Sequence, residues 1–111
     1  MAMSSQIQLR NLGDFCRCWQ VRMLEIYGSA ATGELRPDSD LDFLVSFLPG
    51  ADWSLFDHVR MKQELEALAG RKVDLMTRRA LEQSHNRLLR ERILATSRVV
   101  YSADDALHAT G

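Results

Sequence analysis

A chain of 111 residues, 46% apolar and 26% charged, has the composition of an ordinary globular protein, which argues against disorder over most of its length and fits a single domain. Its formal net charge of −1 gives no general attraction to nucleic acid or to anionic membranes, so any phosphate contact falls to local groups or to metal ions. No apolar run approaches the roughly 20 residues that span a bilayer.

The opening stretch MAMSSQIQLRNLGDF lacks the uninterrupted apolar core of a signal peptide. QLRNLGDFCRCWQ reads as a short first helix, weakened by Gly13. Its two thiols, Cys16 and Cys18, fit neither CxxC nor a common zinc spacing. Without a disulfide framework, a reducing and cytoplasmic setting is expected. VRMLEIYG alternates as a strand, with Val21, Met23 and Glu25 on one side and Leu24 and Ile26 on the other, and Gly28 ends it. SAATGE is a short helical turn, and LRPDS is a loop fixed by Pro37.

DLDFLVSF is the second strand, closed by LPG. DWSLFDHVRMKQELEALAG is the strongest helix, with Ser54 as N-cap, Gly70 as C-cap, and Leu55, Val59, Leu65 and Leu68 at helical spacing. RKVDLMT is a third short strand. RRALEQSHNRLLRERILATS gives one or two helices, and RVVYSADD a last extended piece before a polar tail. Strands interspersed with helices imply a small α/β or α+β domain over residues 1–111, with a core at about 21–101, a tail at about 102–111, and a sheet of three or four strands whose directions the pattern does not fix.

Three features of this order carry chemistry. Gly28 and Ser29 follow the first strand, Asp40 and Asp42 share one face of the second, and Asp74 lies between Val73 and Leu75 on the third. Like charges so close repel unless a cation lies between them. A cluster of hard carboxylate oxygens suits Mg²⁺, and a pair of such ions can clamp both oxygens of a phosphoryl displacement. The glycine turn and the Ser29 hydroxyl can hold phosphate oxygens. Asp38 keeps the same alternation, but after Pro37 it shapes the turn. Gly28 and Gly33 have Walker A spacing, yet Glu34 and Leu35 stand where Lys and Ser/Thr are required, and GxGxxG is absent.

Gly28-Ser29, ten intervening residues and Asp40-Leu41-Asp42 resemble the GS-x10-DxD signature of the DNA polymerase β-like nucleotidyltransferase superfamily. The short length, the following FLV, the Asp74 of KVDLM and the ending NRLLRERILATSRVVY are similar to its minimal branch, the MNT antitoxins that act beside HEPN toxins. The resemblance runs from about Leu24 to Tyr101 and implies a small nucleotidyltransferase fold, a three- to four-stranded mixed sheet flanked by helices. It implies that Asp40 and Asp42 bind two Mg²⁺ ions, that Asp74 binds one of them and helps deprotonate the attacking hydroxyl, and that Gly28 and Ser29 grip the triphosphate of ATP. The implied reaction moves AMP to a hydroxyl, a tyrosine of the HEPN toxin, within a hetero-oligomer. Thr32 departs from the arginine that many members carry just before the second glycine, and Arg36 is the candidate to compensate.

Two rival readings are a small-molecule hydroxyl as acceptor and an antitoxin that works by binding alone. Direct nucleic-acid binding is not expected. His58, His85 and His108 share no helix face, and the reading needs no histidine base. Arg78, Arg79, Arg87, Arg90 and Arg92 form either a solvated helix face or a surface for an acidic partner or the incoming nucleotide. Trp19 and Trp53 are expected in the core or an interface.

Overall fold

The computed structural model describes residues 9–33, 36 and 40–103. The Pro37 and Asp38 turn, His108 and most of the expected tail lie outside the described residues. In chain order the elements are α1 (Leu9–Cys18), β1 (Val21–Tyr27), α2 (Ser29–Thr32), β2 (Leu41–Phe47), α3 (Leu55–Ala69), β3 (Val73–Thr77), α4 (Arg78–Glu82), α5 (Arg87–Thr96) and β4 (Arg98–Ser102).

The strands form one mixed sheet in the order β3-β2-β1-β4. β1 pairs antiparallel with β2 and with β4, whereas β2 and β3 run parallel. A parallel pair needs a crossover, and α3 supplies it between β2 and β3. The helix is bounded as its caps require. Ser54 Oγ accepts from the Asp57 amide, the Asp57 carboxylate accepts from the Ser54 amide, and Gly70 takes the left-handed conformation at the end.

One face of the sheet holds the main core. Leu24, Ile26, Leu41, Phe43, Val45, Val73 and Leu75 pack there against Leu12, Phe15, Cys16 and Trp19 from the α1 end and Met61, Leu65 and Ala69 of α3. The Trp19 and Trp53 rings meet edge to face at 5.0 Å. Trp53 Nε1 donates to the Trp19 carbonyl at 3.0 Å and Trp19 Nε1 to Glu64 Oε1 at 2.8 Å, so both indoles are core anchors with their polar ends satisfied. Burial pushes the Cys16 thiol up to about 12, while Cys18 on the same helix is exposed.

Two expected faces are corrected. Val21 lies with Leu24 and Ile26, not with Glu25, because a register shift between Val21 and Met23 changes the parity of β1. On α3 the buried residues are Met61, Leu65 and Ala69, with Leu68 packed beside them, whereas Leu55 is 79% and Val59 46% exposed. The first turn of α3 still reaches the sheet through His58, whose Nε2 is 3.0 Å from the Leu75 carbonyl, but around the helix Leu55 and Val59 fall off the stripe of Met61, Leu65 and Ala69 and face away from the core.

The opposite face carries a smaller cluster, Tyr27 and Leu44 against Leu81 of α4 and Ile93 of α5. Glu25 is buried there at 6% exposure, and its carboxylate accepts from Arg78 Nη1 at 3.3 Å. The Arg78–Glu25 pair ties the short α4 to the sheet, and Arg78 also pairs with Glu82 within α4. The two faces of α3 give a direct check. Leu65→Ala is expected to cost about 2–4 kcal/mol in urea unfolding and Leu55→Ala no more than about 0.5 kcal/mol. Equal losses would contradict the face assigned here.

Candidate active site

The site begins with the register of three strands. Asp42 on β2 stands opposite Tyr27 on β1 and opposite Asp74 on β3, giving a row Tyr27–Asp42–Asp74 across the sheet. The side chains of this row lie on the face away from the main core, because Leu41, Phe43, Val73 and Leu75 alternate to the other side. Asp40 precedes β2 by one position and keeps the parity of Asp42.

The electrostatics register this crowding. The Asp42 carboxyl is held above its ordinary value, first by partial burial, then by Asp74 and Asp40. The Tyr27 phenol is pushed up to about 12 by burial, then by Asp42 and Asp74. Tyr27 therefore stays neutral over the physiological range. Gly28 packs directly against the acidic row. A Cβ at this position would lie 3.2 Å from Asp42 Oδ2, and its φ of +71° is one that only glycine adopts without strain.

Gly28 then caps the four-residue helix α2, whose first residue is Ser29, and Gly33 closes it in the left-handed conformation. The Gly28 amide is donated to Thr96 Oγ1 at 3.2 Å. Thr96 Oγ1 in turn lies 3.0 Å from the Arg92 carbonyl, to which its hydroxyl can donate. That amide is thus committed to α5, and the Ser29 side is what the turn offers a ligand. Tyr27, Gly28, Ser29, Thr32 and Asp42 form one wall of a cavity of about 410 Å³. Leu89, Arg92, Ile93 and Thr96 of α5 form the other.

Asp40, Asp42 and Asp74 are thus neighbours, beside Gly28 and Ser29. The set fits a hard divalent cation, because a positive charge would relieve the repulsion that raises Asp42. Among the described residues no three acidic, histidine or cysteine side chains make a metal cage by themselves. For Mg²⁺ the remaining ligands would be water and substrate phosphates.

Arg36 does not line the cavity, and its carbonyl accepts from Arg71 Nη1 at 3.1 Å. His58 is held away from the row, with Nε2 3.0 Å from the Leu75 carbonyl, and His85 sits in the turn before α5. The expected basic cluster is dispersed. Arg78 pairs with Glu25 and Glu82, Arg87 with Glu91, and Arg90 Nη1 donates to the Ser84 carbonyl. Arg92 alone among them lines the cavity. Tyr27, Leu89, Ile93 and Thr96 are the lining residues that spacing does not single out.

A model of the nucleotidyltransferase domain family matches residues 10–101. A relative from Methanocaldococcus jannaschii, assigned as a protein adenylyltransferase, is 42% identical over 74 residues, 67% of this chain and 73% of that protein. A solved structure assigned as a minimal nucleotidyltransferase superposes with a TM-score of 0.62 at 36% identity, over 82% of this chain and 87% of the other. A chain of the complex between a tri-AMPylated HEPN toxin and an MNT antitoxin of Shewanella oneidensis gives a TM-score of 0.61 over 96% of this chain and 79% of that one. At 16% identity this last likeness is one of fold.

The raised Asp42 carboxyl has a consequence for stability. A carboxyl whose folded pKa lies above its unfolded value contributes stability that is complete below the unfolded pKa and lost as pH rises through the folded one. At neutral pH Asp42 therefore costs stability. Asp42→Asn is expected to raise the melting temperature of the cation-free protein by about 2–5 °C, a small figure because the group is partly solvated. The gain should shrink as pH falls through the raised carboxyl value. A variant less stable than the parent at neutral pH would contradict the repulsion inferred here.

Proposed function

The chain belongs to the nucleotidyltransferase domain family, and from that premise we propose that it transfers AMP from ATP to a tyrosine hydroxyl of a HEPN toxin, which it neutralises as an antitoxin. The observation that carries this reading is the Asp42–Asp74 pair on adjacent strands, with Asp40 beside it and the Gly28–Ser29 turn packed on it. Asp40 and Asp42 would hold two Mg²⁺ ions and Asp74 one of them. Bound there, Mg²⁺ would neutralise the phosphates and favour the ionised acceptor.

The chain's own residues do the rest. Ser29 and the turn orient the triphosphate, while Gly28 keeps the backbone close enough for the Asp42 carboxylate to share the cavity. The acceptor oxygen bonds to the α-phosphorus, the bond to the β-phosphate oxygen breaks and pyrophosphate leaves. The hydroxyl proton passes to the acidic row, with Asp74 assigned as its acceptor.

The relative assigned as a protein adenylyltransferase supports AMP as the transferred group. The AMPylated toxin in complex with an MNT antitoxin supports a protein acceptor. Leu88 and Leu94, 80% and 41% exposed on the helix that walls the cavity, add an apolar surface suited to a protein partner.

Intact-mass analysis of the partner HEPN protein after incubation with this chain, ATP and Mg²⁺ tests the proposal. Whole AMP units should be added, with none added by the Asp40→Ala/Asp42→Ala double variant. Suppression of the toxin without any mass gain would overturn the enzymatic reading and leave an antitoxin that acts by binding alone.

A further inference from the structure

We propose that Arg92 is a donor-binding residue whose guanidinium holds the outer phosphates of the nucleoside triphosphate. This deepens the reading above and rests on it, since it assumes that the cavity beside Asp42 receives a triphosphate.

Charge balance is the first argument. A triphosphate enters a site already bearing three carboxylates, so cations beyond the metal ions are needed to hold it. Of the described residues that line the cavity, Arg92 is the one with a permanent positive charge. It forms no ion pair among the described residues, in contrast to Arg78 and Arg87, which are neutralised by glutamates.

Placement is the second. Arg92, Ile93 and Thr96 lie on one face of α5 at helical spacing. Ile93 is buried at 3% exposure and anchors that face to the sheet. Thr96 then accepts the Gly28 amide at 3.2 Å, which locks α5 to the phosphate-binding turn. The root of the Arg92 side chain is therefore fixed across the cavity from Ser29. Transfer requires the α-phosphorus beside Asp42, so the outer phosphates lie along the turn, within the space that Arg92 shares. The planar guanidinium can donate two parallel hydrogen bonds to phosphate oxygens, which an amide side chain cannot replace.

The test is nucleotide binding to the full chain with Mg²⁺, using α,β-methylene ATP, which cannot transfer AMP, and AMP, which lacks the outer phosphates. Arg92→Gln should weaken α,β-methylene ATP by about 10-fold or more and leave AMP within about twofold, with an unchanged melting temperature. Arg92→Lys should recover part of the loss, and in AMP transfer the KM for ATP should rise more than kcat falls. Unchanged binding of α,β-methylene ATP, or equal losses for both nucleotides, would overturn the assignment to the outer phosphates. A parent protein that binds neither nucleotide would overturn the nucleotidyl-transfer reading, and the role of Arg92 with it.

Discussion

Asp42 and Asp74 stand directly opposite each other on neighbouring parallel strands, and the rest of the molecule is arranged around that unfavourable contact. Two carboxylates in adjacent register positions repel, and partial burial adds to the penalty on Asp42. A sheet selected for stability alone would place a neutral pair there. Retaining the pair makes sense where a cation and a polyanionic substrate complete the charge balance, the usual conflict between an active site and the stability of its scaffold.

The topology follows from that requirement. A parallel β2–β3 pair puts the second and third aspartates level, and α3 is the crossover that makes the pairing possible. The antiparallel β1–β2 pair puts the end of β1 beside Asp42, so the chain turns at Gly28 within reach of its carboxylate. The main core packs on the opposite face, which leaves the acidic row on the thinner side of the sheet. There α5 closes the site. Ile93 buries its apolar face, Thr96 fastens it to the glycine turn, and Arg92 stands at the cavity wall.

Much of this was legible in local spacing. Period-two alternation placed Asp40 and Asp42 on one face and Asp74 opposite to Val73 and Leu75, and the caps of α3 stood out as Ser54 and Gly70. The failures have local causes. A bulge, which period-two counting cannot see, moved Val21 to the other face of β1. Leu55 and Val59 repeat at helical spacing with each other, but they lie around the helix from Met61, Leu65 and Ala69, the stripe that meets the sheet. Thr96 was out of reach for a different reason: it meets Gly28 across 68 positions of sequence, and only the folded chain brings the two together. Arg92 was visible within a basic cluster, yet nothing local separates it from Arg87 or Arg90, whose charges are spent on their own helix or on the turn before it.

We propose the acidic row as a divalent-cation site completed by a nucleotide. Titration of the full chain with Mn²⁺, followed by electron paramagnetic resonance with and without α,β-methylene ATP, tests it most directly. Saturable Mn²⁺ binding is expected, tightening when the nucleotide is present and lost in Asp42→Asn. Mn²⁺ binding that is the same in the parent and in Asp42→Asn, or no saturable binding even with nucleotide, would contradict it.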